Sequence, residues 1–303
     1  MKHGNAMLAA VLMGVAAASA HAQDAAPARL LLEVAGGVQV QATLQDDGGI
    51  SVVLAPSGKR QVLPGVTDAD GNARLSAEDV DFDGHPELVA RAAVGMVNEA
   101  VAVYRYAPAR QELVALAPIA NDRAQCGDLM GLTVEADNRT LSSSCRSGPM
   151  WYVDQYRYDG GRLYLYRAER ILMLDDLLEP YVFVKQTADS GPLAVWSTFD
   201  PEGNVLETAI GDGLEAPRAG SPLLRISGHV MVARLPLYRQ PGDATTPRYL
   251  VRDDRVELLD ERDGWVQVSY DHPTRGAVLG WVNTQPWPSA GTRKPTRVSL
   301  ARD

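Results

Sequence analysis

Several things this chain has little of narrow its reading. Only two cysteines occur in 303 residues, Cys126 and Cys145. In an oxidising compartment a pair in so short a loop forms a disulfide, and closing that loop stabilises a fold by roughly 3 kcal/mol in the chain-entropy model. The alternative is a catalytic thiol, which needs a positioned base. Histidine is nearly as scarce, and beyond the N-terminal segment only His85, His229 and His272 occur. The sequence "QCGD" lacks the surroundings of a peptidase nucleophile, and neither a His-x-x-x-His nor a Gly-x-Ser-x-Gly arrangement occurs. No catalytic residue is assigned on these grounds, and the chain is read as a non-enzyme. Asp175, Asp176 and Glu179 would serve a glycosidase only in the sense that any two acids can meet in a fold. A solvated acidic face is the other reading of those three.

Positive charge is also short. Lys and Arg number 29 against 38 Asp and Glu, a formal net charge of -9. A protein needs a positive field to hold phosphates, so the balance argues against non-specific nucleic-acid binding and no nucleic-acid partner is expected. Metal binding or a basic protein partner is compatible with the balance. Long apolar runs are missing after the first residues, so no transmembrane segment is expected. The opening itself has Lys2 and His3, an apolar stretch over 7–18 and Ala-His-Ala at 20–22. That layout predicts a signal peptide over 1–22, against the alternative of a buried N-terminal helix, and places the mature protein in the periplasm. No cysteine follows the cleavage position, which excludes a lipid anchor of the lipoprotein kind.

Helical periodicity is limited to a short stretch over 171–179. What is present instead is period-two alternation in short runs, so the fold is expected to be mainly β. "VQVQATL" (38–44) and "GISVVLA" (49–55) flank "QDDGG", a hairpin signal, and "DGG" at 159–161 is another between Tyr-rich strands. The length allows two domains. An antiparallel β domain is expected over 28–199 and a Gly/Pro-rich connection over 200–228. A small β-barrel should follow over 229–287, and a disordered polar tail over 288–303.

The densest chemical signal is "EDVDFDGHPEL" (78–88). Asp79, Asp81 and Asp83 stand at positions 1, 3 and 5 of a loop, with Gly84 at 6, His85 at 7 and Glu87 at 9. Alternating carboxylates on a curling backbone converge their oxygens, the glycine permits the turn, and the His85 carbonyl can face inward. Hard oxygen donors favour calcium over zinc or copper. Position 12 is Ala90 and the following residues look like a strand, so this is not an EF-hand. The segment resembles the Asp-x-Asp-x-Asp-Gly calcium loops of FG-GAP-type β proteins, with Glu87 where that pattern ends in aspartate. A solvated acidic turn without metal is the alternative. Asp68 and Asp70 in "TDADGN" make a similar turn without the further carboxylates.

The order hairpin, "GKRQVLPG", "DVDFDGHPEL", "VYRY", cysteine pair and "YRYDGGRLYL" resembles periplasmic immunity proteins related in fold to lysozyme inhibitors. That resemblance implies an inhibitor of a cell-wall hydrolase or toxin effector, acting through a loop inserted into the enzyme's cleft. Lysozyme inhibitors carry Ser-Gly-x-x-Tyr in such a loop. Here "SGPMWY" places Ser147 and Gly148 in register, Trp151 at the tyrosine position and Tyr152 one residue later. Trp151 and Tyr152 are either binding anchors or the start of a core strand. Residues 230–287 resemble the bacterial SH3-like domain through "PLYRQPG", "DGW" and "GWVN", with Asp253-Asp254 where Gly-Asp is usual. The likeness implies barrel packing or ligand contact for Trp265 and Trp281, and peptidoglycan or a protein as what the module holds. A cell-envelope binding or scaffolding role is the runner-up function.

Overall fold

The computed structural model describes residues 29–172, 178–186 and 190–285. The expected signal peptide (1–22), the expected tail (288–303), Asp175, Asp176 and most of the expected helix at 171–179 lie outside them. The described chain is mainly β, as the alternation predicts, and its strand pairings are antiparallel.

The first sheet is a four-stranded meander of β1 (Arg29–Val34), β2 (Val38–Leu44), β3 (Ile50–Ala55) and β4 (Lys59–Leu63). The hairpin expected at "QDDGG" joins β2 to β3, where Gly48 takes a φ of 82° and the Gln45 N–H donates to the Gly49 carbonyl at 2.8 Å. A side chain at that φ would be strained. Val40, Ala42, Ile50, Val52 and Leu54 alternate inward along the two strands.

A second meander contains β5 (Arg74–Glu78), β6 (Glu87–Val94), β7 (Asn98–Ala107) and β8 (Glu112–Ala115). Residues Glu87 to Ala92 of β6 are buried in succession, without alternation. The reason is protein on both faces. Leu88 and Ala90 join the core shared with the first sheet, whereas Val89, with Val101 and Val103 of β7, packs against the third. Truncating Leu88 to alanine in such a core costs about 2–5 kcal/mol.

The third sheet has six strands: β9 (Thr133–Glu135), β10 (Thr140–Ser147), β11 (Met150–Asp159), β12 (Arg162–Ile171), β14 (Leu193–Phe199) and β15 (Val205–Asp212). The fourth contains β13 (Val182–Val184), β16 (Ser227–Val230), β19 (Arg255–Arg262), β20 (Trp265–His272) and β21 (Gly276–Asn283). A two-stranded ribbon of β17 (Leu235–Pro236) and β18 (Tyr249–Leu250) adds Leu235 and Leu250 to its core.

Two expected boundaries need correction. The connection placed over 200–228 contains β15, whose Ala209 and Ile210 are fully buried. Its turn-like composition comes from the Asp200–Asn204 hairpin, where Asp200 accepts the N–H groups of Glu202 (3.0 Å) and Asn204 (2.8 Å). The first domain, placed as ending at 199, also lends a strand to the second. β13 pairs with β16, with Phe183 opposite His229. The third and fourth sheets share one core, in which Val195 and Ile210 meet Val230, Leu258 and Val266. Arg170 fastens the same junction by donating to the Glu261 carboxylate (2.8 Å) and carbonyl (2.7 Å).

Candidate functional site

The loop between β5 and β6 enters the space between the second and third sheets by alternation. Val80 is fully buried in the core between those sheets, and Phe82 packs on that core with its ring edge-on to Tyr158 at 6.2 Å. Asp79 is exposed, Asp81 is half-buried and Glu87 is 4% exposed. One carboxylate oxygen from each of the three lies within 4.8 Å of the others. Asp83, which the sequence pattern adds to the set, has its carboxylate outside this group. Asp83 accepts the His85 N–H at 2.8 Å, and the His85 side chain is exposed. The turn is held by its own carboxylates, since Asp79 accepts the N–H groups of Asp83 and Gly84 at 3.1 Å each.

Burial, opposed by a hydrogen bond from the Val80 N–H and reinforced by Asp81, pushes Glu87 up to about 7. Burial and the neighbouring Asp83 raise Asp81 as well. The buried Tyr158 hydroxyl has no hydrogen-bond partner among the described residues, and its pKa is raised first by burial and then by Asp81 and Glu87. A cation among the three carboxylates would offset the mutual repulsion that contributes to the raised values of Asp81 and Glu87. All the donors are oxygens, and one face of Asp79 is open to water, a set that suits a hard ion such as calcium. Asp79 and Asp81 stand in the loop before β6, and Glu87 is the first residue of that strand.

The expected inhibitory segment is the β10–β11 hairpin. Ser147 pairs with Met150 around Gly148 and Pro149, Arg146 faces Trp151, and Cys145 faces Tyr152. Gly148 has a φ of 59°, which favours glycine at this turn. Ser147, Gly148 and Pro149 are exposed, Tyr152 is half-buried and Trp151 is 39% exposed. Trp151 and Tyr152 therefore do begin a strand, yet neither belongs to a core cluster. The Cys126–Cys145 disulfide is formed, with a Cα–Cα distance of 5.5 Å. It anchors one base of the hairpin.

Asp154 and Glu169 were invisible in the sequence pattern, though each is a charge at a buried strand position. Asp154 is fully buried and accepts the Gln125 (2.8 Å) and Cys126 (2.6 Å) N–H groups, tying the disulfide loop to β11. Glu169, 2% exposed, accepts the Val153 N–H at 2.9 Å. Burial pushes Asp154 up to about 6; burial and the Asp154 charge push Glu169 up to about 8. They resemble a hydrolytic pair in pKa alone. One oxygen of each accepts backbone N–H groups, and the other, Asp154 Oδ1 or Glu169 Oε2, is buried with no hydrogen-bond partner among the described residues. Glu179 is exposed, in keeping with a solvated acidic face.

In the fourth sheet, Trp281 is 5% exposed and Trp265 stacks edge-on to Tyr238 at 5.1 Å, both as packing residues. The "DGW" turn joins β19 to β20 with Asp263 and Gly264 at φ 49° and 80°. Asp253 takes a φ of 70°, the left-handed conformation that glycine adopts freely, and Asp254 accepts the Val251 N–H at 2.8 Å. Compared with protein-family models the chain matches none, and no curated protein matches it in sequence.

Proposed function

We propose that this is an exported periplasmic binding protein that neutralises a peptidoglycan-degrading hydrolase by inserting the β10–β11 hairpin into its cleft. The observation that carries this reading is the state of that hairpin. Trp151 is 39% exposed on a strand whose neighbour Cys145 is held by a disulfide. A large aromatic kept outside the core on a braced turn supplies contact area at little ordering cost. Ser147 and Gly148 form the advancing edge, with Trp151 on one face of the strand and Tyr152, the next residue, on the other. The protein acts by occupancy and carries out no chemistry of its own.

In this reading Asp79, Asp81 and Glu87 hold calcium, with the His85 carbonyl as a further oxygen source. The ion supplies positive charge that pins the Val80–Phe82 wedge between two sheets. The C-terminal sheet acts as an SH3-like module. A second function, holding peptidoglycan or an envelope protein, is favoured by the Arg234 guanidinium stacked 4.0 Å over the ring of Tyr249, itself 49% exposed. Retention of proteins from an envelope extract on the immobilised full chain separates the two. A wall-cleaving enzyme among those retained supports neutralisation, whereas wall fragments or division proteins alone support the second reading.

A further inference from the structure

The reading above uses one hairpin, and a second stands beside it. β6 and β7 are joined through Gly95, Met96 and Val97, closed by the Val94–Asn98 pair. Met96 is 99% exposed, Val97 46% and Val94 40%. Single exposed apolar residues are ordinary. These three are consecutive or nearly so, and they are fastened to the β10–β11 hairpin. The Asn98 side chain accepts the Arg146 N–H at 2.7 Å and donates to the Arg146 carbonyl at 3.0 Å. Deeper in, the Gly131 N–H donates to the Glu99 carbonyl at 2.8 Å. The Arg91 guanidinium, buried between Glu78 and Glu99, donates to the Leu132 carbonyl at 2.9 Å. The two hairpins are thus joined directly by Asn98 and Arg146, and indirectly through the 130–132 segment, whose Met130 carbonyl accepts the Ser144 N–H of β10 at 2.9 Å.

Arg146 stands at the seam, directly opposite Trp151, and has no ion-pair partner among the described residues. Its Nε donates to the Gly148 carbonyl at 3.1 Å, which keeps the guanidinium at the turn.

We infer that the two tips form a single docking ridge, with Met96, Val97 and Trp151 as apolar anchors on either side of Arg146. The inference rests on the proposed neutralisation of a hydrolase and specifies what that enzyme presents. A ridge needs a concave partner. Exposed Met and Trp need apolar walls, and an isolated arginine between them needs a carboxylate on the floor. The occupant is therefore the acid-lined catalytic cleft of a wall-cleaving enzyme. Preformed fastening between the tips reduces the ordering needed on binding.

The test places a photo-crosslinking residue at Met96 in one full-length variant and at Trp151 in another, each exposed to envelope extract. The expected result is that both capture the same wall-cleaving enzyme through peptides lining its catalytic cleft. In the Arg146→Glu variant, with unchanged Tm, affinity for that enzyme should fall about tenfold or more. Capture from position 151 with none from 96 would overturn the ridge and leave the hydrolase reading standing. Capture of a non-hydrolytic protein at both positions would overturn the hydrolase as occupant. Capture at neither would overturn both, and unchanged affinity of Arg146→Glu would remove the carboxylate floor.

Discussion

The side chain of Asn98 and the main chain of Arg146 exchange two hydrogen bonds, at 2.7 and 3.0 Å, across strands far apart in sequence. Each is an edge group that water could otherwise satisfy, so the pair matters more for the relative placement of the two turns than for stability. Replacing Asn98 with alanine should lower stability by only about 1–2 kcal/mol. Amide exchange should accelerate locally, at Met96 to Asn98 and at Ser147 to Met150. Uniformly accelerated exchange throughout the second and third sheets would show instead that this contact supports the whole fold.

Calcium should raise Tm through the acidic loop. Binding to the folded state at one hundred times Kd adds about 2.7 kcal/mol, several degrees for a chain of this size. Excess EDTA should reverse the rise. Glu87→Gln keeps an acceptor for the Val80 N–H but removes the charge, so the variant should fold and lose the calcium-dependent part of its Tm. An equal rise in the variant would assign the effect elsewhere.

The buried carboxylates predict a direction for pH dependence. Glu169 is raised from 4.5 to about 8, and Asp154 from 3.8 to about 6. Between the unfolded and folded values the folded state binds more protons, so these groups make stability fall as pH rises. Their favourable contribution is full below about pH 4 and is lost progressively up to about pH 8. Glu169→Gln should therefore lose less stability than the parent between pH 5 and 8, by an amount on the order of a few kcal/mol. Denaturant unfolding at the two pH values measures the difference. A steeper loss in the variant would contradict the assignment.

Reduction of the Cys126–Cys145 bond should cost about 3 kcal/mol, given its 19-residue separation. The double serine variant should remain folded, because Asp154 still holds the Gln125 and Cys126 N–H groups. Its affinity for the partner should drop more than its stability does, a comparison that calorimetry and thermal melts provide together.

Hairpins were the most legible part of the sequence, because their signals are local. Gly48 and the Gly160–Gly161 pair supply the positive φ that their turns require, and the alternation beside them fixes which side chains turn inward. The acidic loop was legible for the same reason, although only Asp79, Asp81 and Glu87 converge. Asp83 spends its carboxylate on the next turn of backbone. What escaped depends on distant chain. β15 was obscured by the turn residues preceding it, and its burial is conferred by β14 and the fourth sheet. The roles of Arg91, Asp154 and Glu169 come from backbone groups of other segments. A charge within an apolar run was their one sequence signal. The fastening of the two tips by Asn98 has no local signature at all.

The most direct measurement is a titration of a wall-cleaving enzyme, retained from the envelope, with the purified full chain while its lytic rate is followed. Stoichiometric loss of lysis is expected. The Trp151→Ala/Tyr152→Ala double variant, matched for secondary structure and Tm, should need at least about tenfold more protein for the same effect. Equal inhibition by parent and double variant would contradict insertion of this hairpin, and undiminished lysis with the parent would contradict neutralisation itself.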